Sequence, residues 1–302
     1  VYVEKDTKHT LIAVAVVVIV VSSVLIGIYA VSGVRPPHTV VVSDSMQHGI
    51  GSNIGVIDTG DMVILRTKDS VDICPYVDGF VRGYSKFGNY GDVIIYDRGP
   101  DINPVIHRAI LWLSYNGDGT WSAPILEKFK DSAGVPLWSC TYTSGPDTIQ
   151  VHDVKALHGT LTLKKMGWEH NRSPTINLDR LVEVGSPDGY LTMGDNNPGF
   201  DQLTSISPTG LINYERINSV AWFEVPWMGA FKMMIDGNTV ELSHYAPNTV
   251  PALTAVTVLF IFILIGISFL FDHRYYGKFR KEMYEDMDAP APQFPVEDEK
   301  ED

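Results

Sequence analysis

The chain has 302 residues, a formal net charge of −13 and 45% hydrophobic residues. Such acidity argues against a nucleic-acid partner, which needs a basic footprint. A length prior of about 150 residues per domain suggests two domains, but two apolar runs must first be set aside.

Residues 1–9, with Lys5 and Lys8, precede an uncharged run of Val, Ile, Ala and Leu over 10–34. A membrane-spanning helix needs roughly 20 such residues, because a hydrocarbon core of ~30 Å is crossed at ~1.5 Å per residue. The run far exceeds the ~7–15 residues of a cleaved signal core, so it predicts an uncleaved anchor. A second uncharged run covers 249–271, followed by "DHRYYGKFRK" with Arg274, Lys278, Arg280 and Lys281. The facing flanks hold only Arg35. Basic ends stay in the cytoplasm, which predicts a two-pass cell-membrane protein with both termini inside and 35–248 outside. In the cytoplasmic tail, 272–302, the acidic "VEDEKED" behind the Pro-rich "APAPQFP" reads as a solvated, disordered end.

The outer segment 35–248 is a series of short strands. "DMVILRT" (61–67), "GDVIIYDRG" (91–99), "PVIHRAILWLSY" (104–115) and "SVAWFEVP" (219–226) are rich in Val, Ile and aromatics and are bounded by turn residues. "YNGDGTW" (115–121) predicts a hairpin, since Asn-Gly and Asp-Gly supply the positive-φ positions of tight turns. No amphipathic helix of useful length is evident there, and the fold class is mainly β. The stretch 113–180 has more turns and scattered charge, and reads as an inserted subdomain or a set of long loops. Its Asn171-Arg172-Ser173 sequon favours surface exposure. "VPWMGAFKMMI" (225–235) reads as a final core strand or as a surface dipping into lipid headgroups. Cys74 and Cys140 both lie outside the cytosol, where a disulfide is permitted, although sequence does not show that they approach each other.

A serine hydroxyl becomes a nucleophile when a base takes its proton, and the base works best when an acid fixes its tautomer. Ser43 and Ser45 follow the first apolar run in "VVVSDSMQHG" (40–49). Of nine histidines only His107 lies inside a strand-like run. Two acids, Asp195 and Asp201, share the loop "MGDNNPGFDQ" (193–202). That loop faintly resembles an oxygen-ligand loop for Ca²⁺, but lacks the 12-residue spacing and the closing Glu. Neither a metal nor a cofactor is expected.

In chain order come a membrane helix, "SDSM" (43–46), "TGDMVIL" (59–65), "GDVIIY" (91–96), "VIHRAI" (105–110) and "MGDNNPGFDQ" (193–202). Taken together these blocks resemble a type I signal peptidase of the archaeal and endoplasmic-reticulum branch. The resemblance implies a signal-peptidase-like β-domain between two membrane helices. It implies Ser45 as nucleophile, His107 as base where the bacterial branch has lysine, and Asp201 as the acid paired with it. Asp195 becomes a supporting acid, and Ser43 with the Ser45 N–H becomes the oxyanion hole. The implied partners are signal peptides of exported preproteins and the lipid bilayer, whether the chain acts alone or within a membrane complex. Three positions depart from the pattern: Asp44, where a small residue is usual, and Gln47-His48, where an acid and a proline are common. If 43–45 were strand-like, Ser43 and Ser45 would share one face and Asp44 would point away.

Overall fold

The computed structural model describes residues 2–99 and 102–287. The acidic end expected to be disordered falls within 288–302 and lies outside the described residues. Contacts divide the chain into two compact units, 1–250 and 251–302.

Within the first unit, helix α1 (Tyr2–Ser32) leads into strands β1 (His38–Val40) and β2 (Met62–Thr67), then helix α2 (Tyr76–Arg82). A two-residue hairpin, β3 (Ser85–Lys86) and β4 (Asn89–Tyr90), precedes β5 (Val93–Tyr96) and the long β6 (Val105–Tyr115). Next come β7 (Trp121–Ser122), β8 (Trp138–Ser144), β9 (Asp147–Val151), β10 (Thr160–Leu163) and β11 (Thr175–Asn177). Helix α3 (Leu178–Glu183), β12 (Gly189–Met193) and β13 (Ile217–Val225) follow, then the short helices α4 (Ala230–Ile235) and α5 (Thr239–Tyr245). Helix α6 (Thr249–Met287) begins at the end of this unit and makes up the described part of the second. The stretches Ala15–Ser32 and Thr249–Ile267 are each long and apolar enough to cross a membrane, and only 6% of either is buried.

The fold is mainly β. The main sheet has seven strands in the order β1-β2-β13-β5-β6-β12, with β7 on β6, and every neighbour is antiparallel. All four β5 side chains are buried because both faces of the sheet are covered. Strand alternation sends Val93 and Ile95 into a cluster with Val63, Leu65 and Met46. Ile94 and Tyr96 join Ala109, Ile217 and Val220 on the other face. The predicted turn after Tyr115 forms as expected: Asn116 N–H donates to Thr120 C=O (3.0 Å), with Gly117 and Gly119 at φ 84° and 92°.

Within the stretch 113–180, residues 138–177 carry a second antiparallel sheet, ordered β11-β10-β8-β9, while β7 joins the main sheet. Leu161 and Leu163 of the second sheet share one buried cluster with Ile110, Trp121, Leu191 and Met193 of the main sheet. Asn171 is exposed, as its sequon suggested.

Three readings that the sequence left open are decided by the structure. Cys74 and Cys140 are not bonded. Cys74 lies just before α2, where its backbone is tied to Asp92, whereas Cys140 is buried in β8 with its thiol donating to His158 C=O at 3.0 Å. The segment 225–235 is not a final strand: β13 ends at Val225, a turn follows, and α4 begins at Ala230. The segment around Ser45 is a turn, closed by Gln47 N–H donating to Asp44 C=O at 3.0 Å. Ser and Asp compete with regular ladders through local hydrogen bonds and favour such turns.

Candidate active site

Strand β6 and the loop after β12 build one half of the site. His107 faces Ile94 across the β5–β6 ladder and is buried. Its Nδ1 lies 2.8 Å from Asp201 Oδ2. An N–H at Nδ1 donating to that carboxylate leaves Nε2 as the proton acceptor. The same carboxylate oxygen accepts a second bond from Tyr96 Oη at 2.7 Å, while Asp201 Oδ1 has no partner. Burial first, and then the Asp201 charge, push the Tyr96 phenol far above its ordinary range, so it serves as a neutral donor. Behind it, Thr192 Oγ1 bonds Tyr96 Oη (3.4 Å) and takes a bond from Gln202 Nε2 (3.0 Å). Asp201 N–H donates to Thr192 C=O (2.9 Å). The loop thus returns to the strand it left.

The turn at 43–46 forms the other half. Ser43 and Ser45 hydroxyls are 3.2 Å apart, so they do lie together, although on a turn rather than a strand. Ser45 is half-buried, and its N–H has no hydrogen-bond partner among the described residues. Its carbonyl accepts from Asn196 N–H at 2.8 Å, and Asn196 Nδ2 donates to Asp44 C=O at 3.2 Å. A Cβ at Gly194 would lie 2.5 Å from the Ser45 carbonyl oxygen, so this close docking needs glycine there. Among the described residues the Asp44 carboxylate makes no hydrogen bond. The acid loop therefore holds Ser45 through Asn196 and His107 through Asp201. Ser45 Oγ is bonded to Ser43 and not to His107.

Asp195 has a different task. Arg108, fully buried, grips it with two bonds, Nε to Oδ1 at 2.7 Å and Nη2 to Oδ2 at 2.6 Å. Arg108 Nη1 also donates to the carbonyl of Gly91 at 2.7 Å. His48 Nε2 lies 3.0 Å from Asp195 Oδ2, and its ring stacks on Trp168 at 5.7 Å. Burial opposes the Asp195 charge most strongly, yet Arg108 and His48 together outweigh it and hold the carboxyl at about 2.

Several residues of the site carried no role in the sequence. Tyr96 is the last residue of "GDVIIY", and its place two residues from Ile94 was the available signal. Gln47 is buried and fully used: Nε2 donates to the carbonyls of Gly49, Gly51 and Tyr245, and Oε1 accepts from Thr59 Oγ1. Trp168 N–H donates to Asp195 C=O (3.1 Å), while Arg172 bonds Asn197 C=O and Asn196 Oδ1. The second-sheet region thus braces the acid loop from outside. Asp61 accepts from the N–H groups of Asp58 and Trp227, both at 2.8 Å, and burial pushes its carboxyl up to about 7. Burial likewise pushes Asp58 up to about 6.

No family model, curated protein or solved structure matches the chain. Among the described residues no group of three or more His, Cys, Asp or Glu could hold a metal ion.

Proposed function

We propose that the chain is a membrane-bound serine endopeptidase of the signal peptidase type. It would remove N-terminal signal peptides from exported preproteins at the outer membrane surface, cutting after small residues. The observation that carries this reading is the single loop, 194–201, that bonds both the backbone of Ser45 and the side chain of His107. Supporting it are His107 Nε2 and Ser45 N–H, neither bonded among the described residues, and the Ser43 hydroxyl beside Ser45.

In the proposed reaction His107 Nε2 takes the proton of Ser45 Oγ as the oxygen attacks the peptide carbonyl. Ser43 Oγ–H and Ser45 N–H hold the resulting oxyanion, and such a donor is typically worth ~2.7–4 kcal/mol. The imidazolium then gives its proton to the leaving amine, and the C–N bond breaks. Water, deprotonated by His107, releases the acyl group. Asp201 fixes the tautomer and stabilises the imidazolium. The step requires the Ser45 hydroxyl to turn from Ser43 toward His107, and catalytic bonds commonly close only with substrate in place. The basic flanks of both apolar runs favour cytoplasmic termini and an outer catalytic domain.

A second reading is a non-enzymatic ectodomain of the same architecture that binds rather than cleaves. The Ser43–Ser45 hydroxyl bond and the unusual Asp44 favour it. Detergent-solubilised wild type, Ser45→Ala and His107→Ala, incubated with a preprotein, separate the two. Cleavage by wild type alone supports the peptidase. Cleavage surviving in Ser45→Ala removes the nucleophile assignment, and no cleavage by wild type favours the binding module.

A further inference from the structure

Helices α4 and α5 leave an apolar face uncovered. Phe231 is 49% exposed, Ile235 84% and Val240 71%, and Met234 is also exposed. Between them lies an apolar cavity of about 290 Å³, lined by Met234, Leu242, Ala246 and Val250 among others. Charged groups lie at other positions of the same helices, with Lys232 paired to Asp236. Contiguous exposed apolar surface rimmed by charge marks a contact site.

The chain itself says what that contact is. Only residues 246–248 separate α5 from the helix that begins at Thr249, whose stretch Thr249–Ile267 is long and apolar enough to span. Three residues reach at most about 10 Å, and the headgroup layer on each side is roughly 5–8 Å thick. A hairpin so tethered, amphipathic and apolar on one side, lies in the interface like other in-plane helices.

The same hairpin is fastened to the nucleophile turn. Tyr245 C=O accepts from Gln47 Nε2 (2.5 Å) and from Gly51 N–H (3.1 Å). Asn248 exchanges two bonds with Ser52, accepting from its N–H at 2.7 Å and donating to its C=O at 2.8 Å. The clamped loop carries Ile50 and Ile54, 90% and 74% exposed. We infer that α4–α5 and the 50–54 loop form one lipid-seated surface that fixes the Ser45 turn at a set depth on the bilayer. The lipid contact stands on this geometry, and only its use in setting the cut rests on the proposed peptidase reading.

Spin labels test it in the full chain, reconstituted in phosphatidylcholine–phosphatidylglycerol nanodiscs. Ile235→Cys, Ile54→Cys and the distal Ile149→Cys are labelled in a Cys74→Ser background, where Cys140 is buried. Labels at 235 and 54 should collide several-fold more with oxygen than with a water-soluble nickel chelate, and the label at 149 should show the reverse. Adding Asn248→Ala should raise the mobility of the label at 54. Labels at 235 and 54 as water-accessible as at 149 overturn the lipid contact. Labels at 235 shielded from both relaxants would mean a protein partner or second copy, and also overturn it. Unchanged mobility at 54 removes the clamp. None of these readouts depends on cleavage, so failure here is distinct from failure of the peptidase reading.

Discussion

His107 and Arg108 are neighbours on β6, and strand alternation sends them to different aspartates of one loop, Asp201 and Asp195. The two carboxylates consequently have separate tasks. Asp201 faces an imidazole that gains and loses a proton in the proposed reaction. Asp195 faces a guanidinium that never does, and it anchors the loop on which Asp201 stands.

Tyr96→Phe removes the second donor to Asp201 Oδ2 and leaves the ring in place. Hydrogen bonds to charged groups are worth ~1.5–3 kcal/mol, part of which here restrains the carboxylate that orients His107. The expected result is a roughly tenfold fall in kcat with KM little changed, measured on a preprotein substrate. An unchanged kcat would remove Tyr96 from the site.

Arg108→Met strands Asp195 in the interior. Losing one partner of a buried pair costs ~3–5 kcal/mol, read as a lower urea midpoint, and adding Asp195→Leu should recover part of it. The acid side has a defined sign. Asp195 sits at about 2 in the fold, below ~3.9 when unfolded. Its stabilisation is present above about pH 4 and is lost as pH falls toward 2. Asp195→Asn should lack that acid-dependent component in a titration of unfolding free energy.

Asp58 runs the other way. Its Oδ2 accepts from Asn53 N–H at 2.5 Å, but Oδ1 is buried without a partner, and its carboxyl is raised to about 6. The protonated form is favoured in the fold, so this stability is full below about pH 4 and declines as pH rises through 6. Each unit is worth ~1.4 kcal/mol, giving roughly 2–3 kcal/mol in all. Asp58→Asn should flatten that decline and raise the melting temperature at pH 8 relative to wild type.

Gly194→Ala places a methyl against the Ser45 carbonyl. Displacing the turn by even ~1 Å is enough to cost about 100-fold in rate. Activity should fall much further than thermal stability does. Wild-type turnover in this variant would show that the docking of the two loops is irrelevant to the reaction.

The strands of the main sheet were legible because β-branched runs bounded by turn residues leave few other folds. His107 and Asp201 were legible as a pair only through the order of the short blocks, since nothing local joins residues on β6 to a loop after β12. Whether 43–45 continue the extended valine run was open in the sequence: the valines end at Val42, and the Asp44–Gln47 hydrogen bond then governs. The cysteines shared a compartment, which permits a bond, but proximity is a tertiary property. Gln47 and His48 looked like departures from a pattern. In the fold each is satisfied by partners distant in sequence, Tyr245 for one and Asp195 for the other.

The bond from Gln47 to Tyr245 joins residues 198 positions apart. At synthesis rates of about 5–20 residues per second, the interval between making them is roughly 10–40 s. The Ser45 turn lacks Tyr245 for the whole of that time and Asn196 for most of it. The candidate site is therefore complete only once the chain has been made up to the start of its second apolar helix.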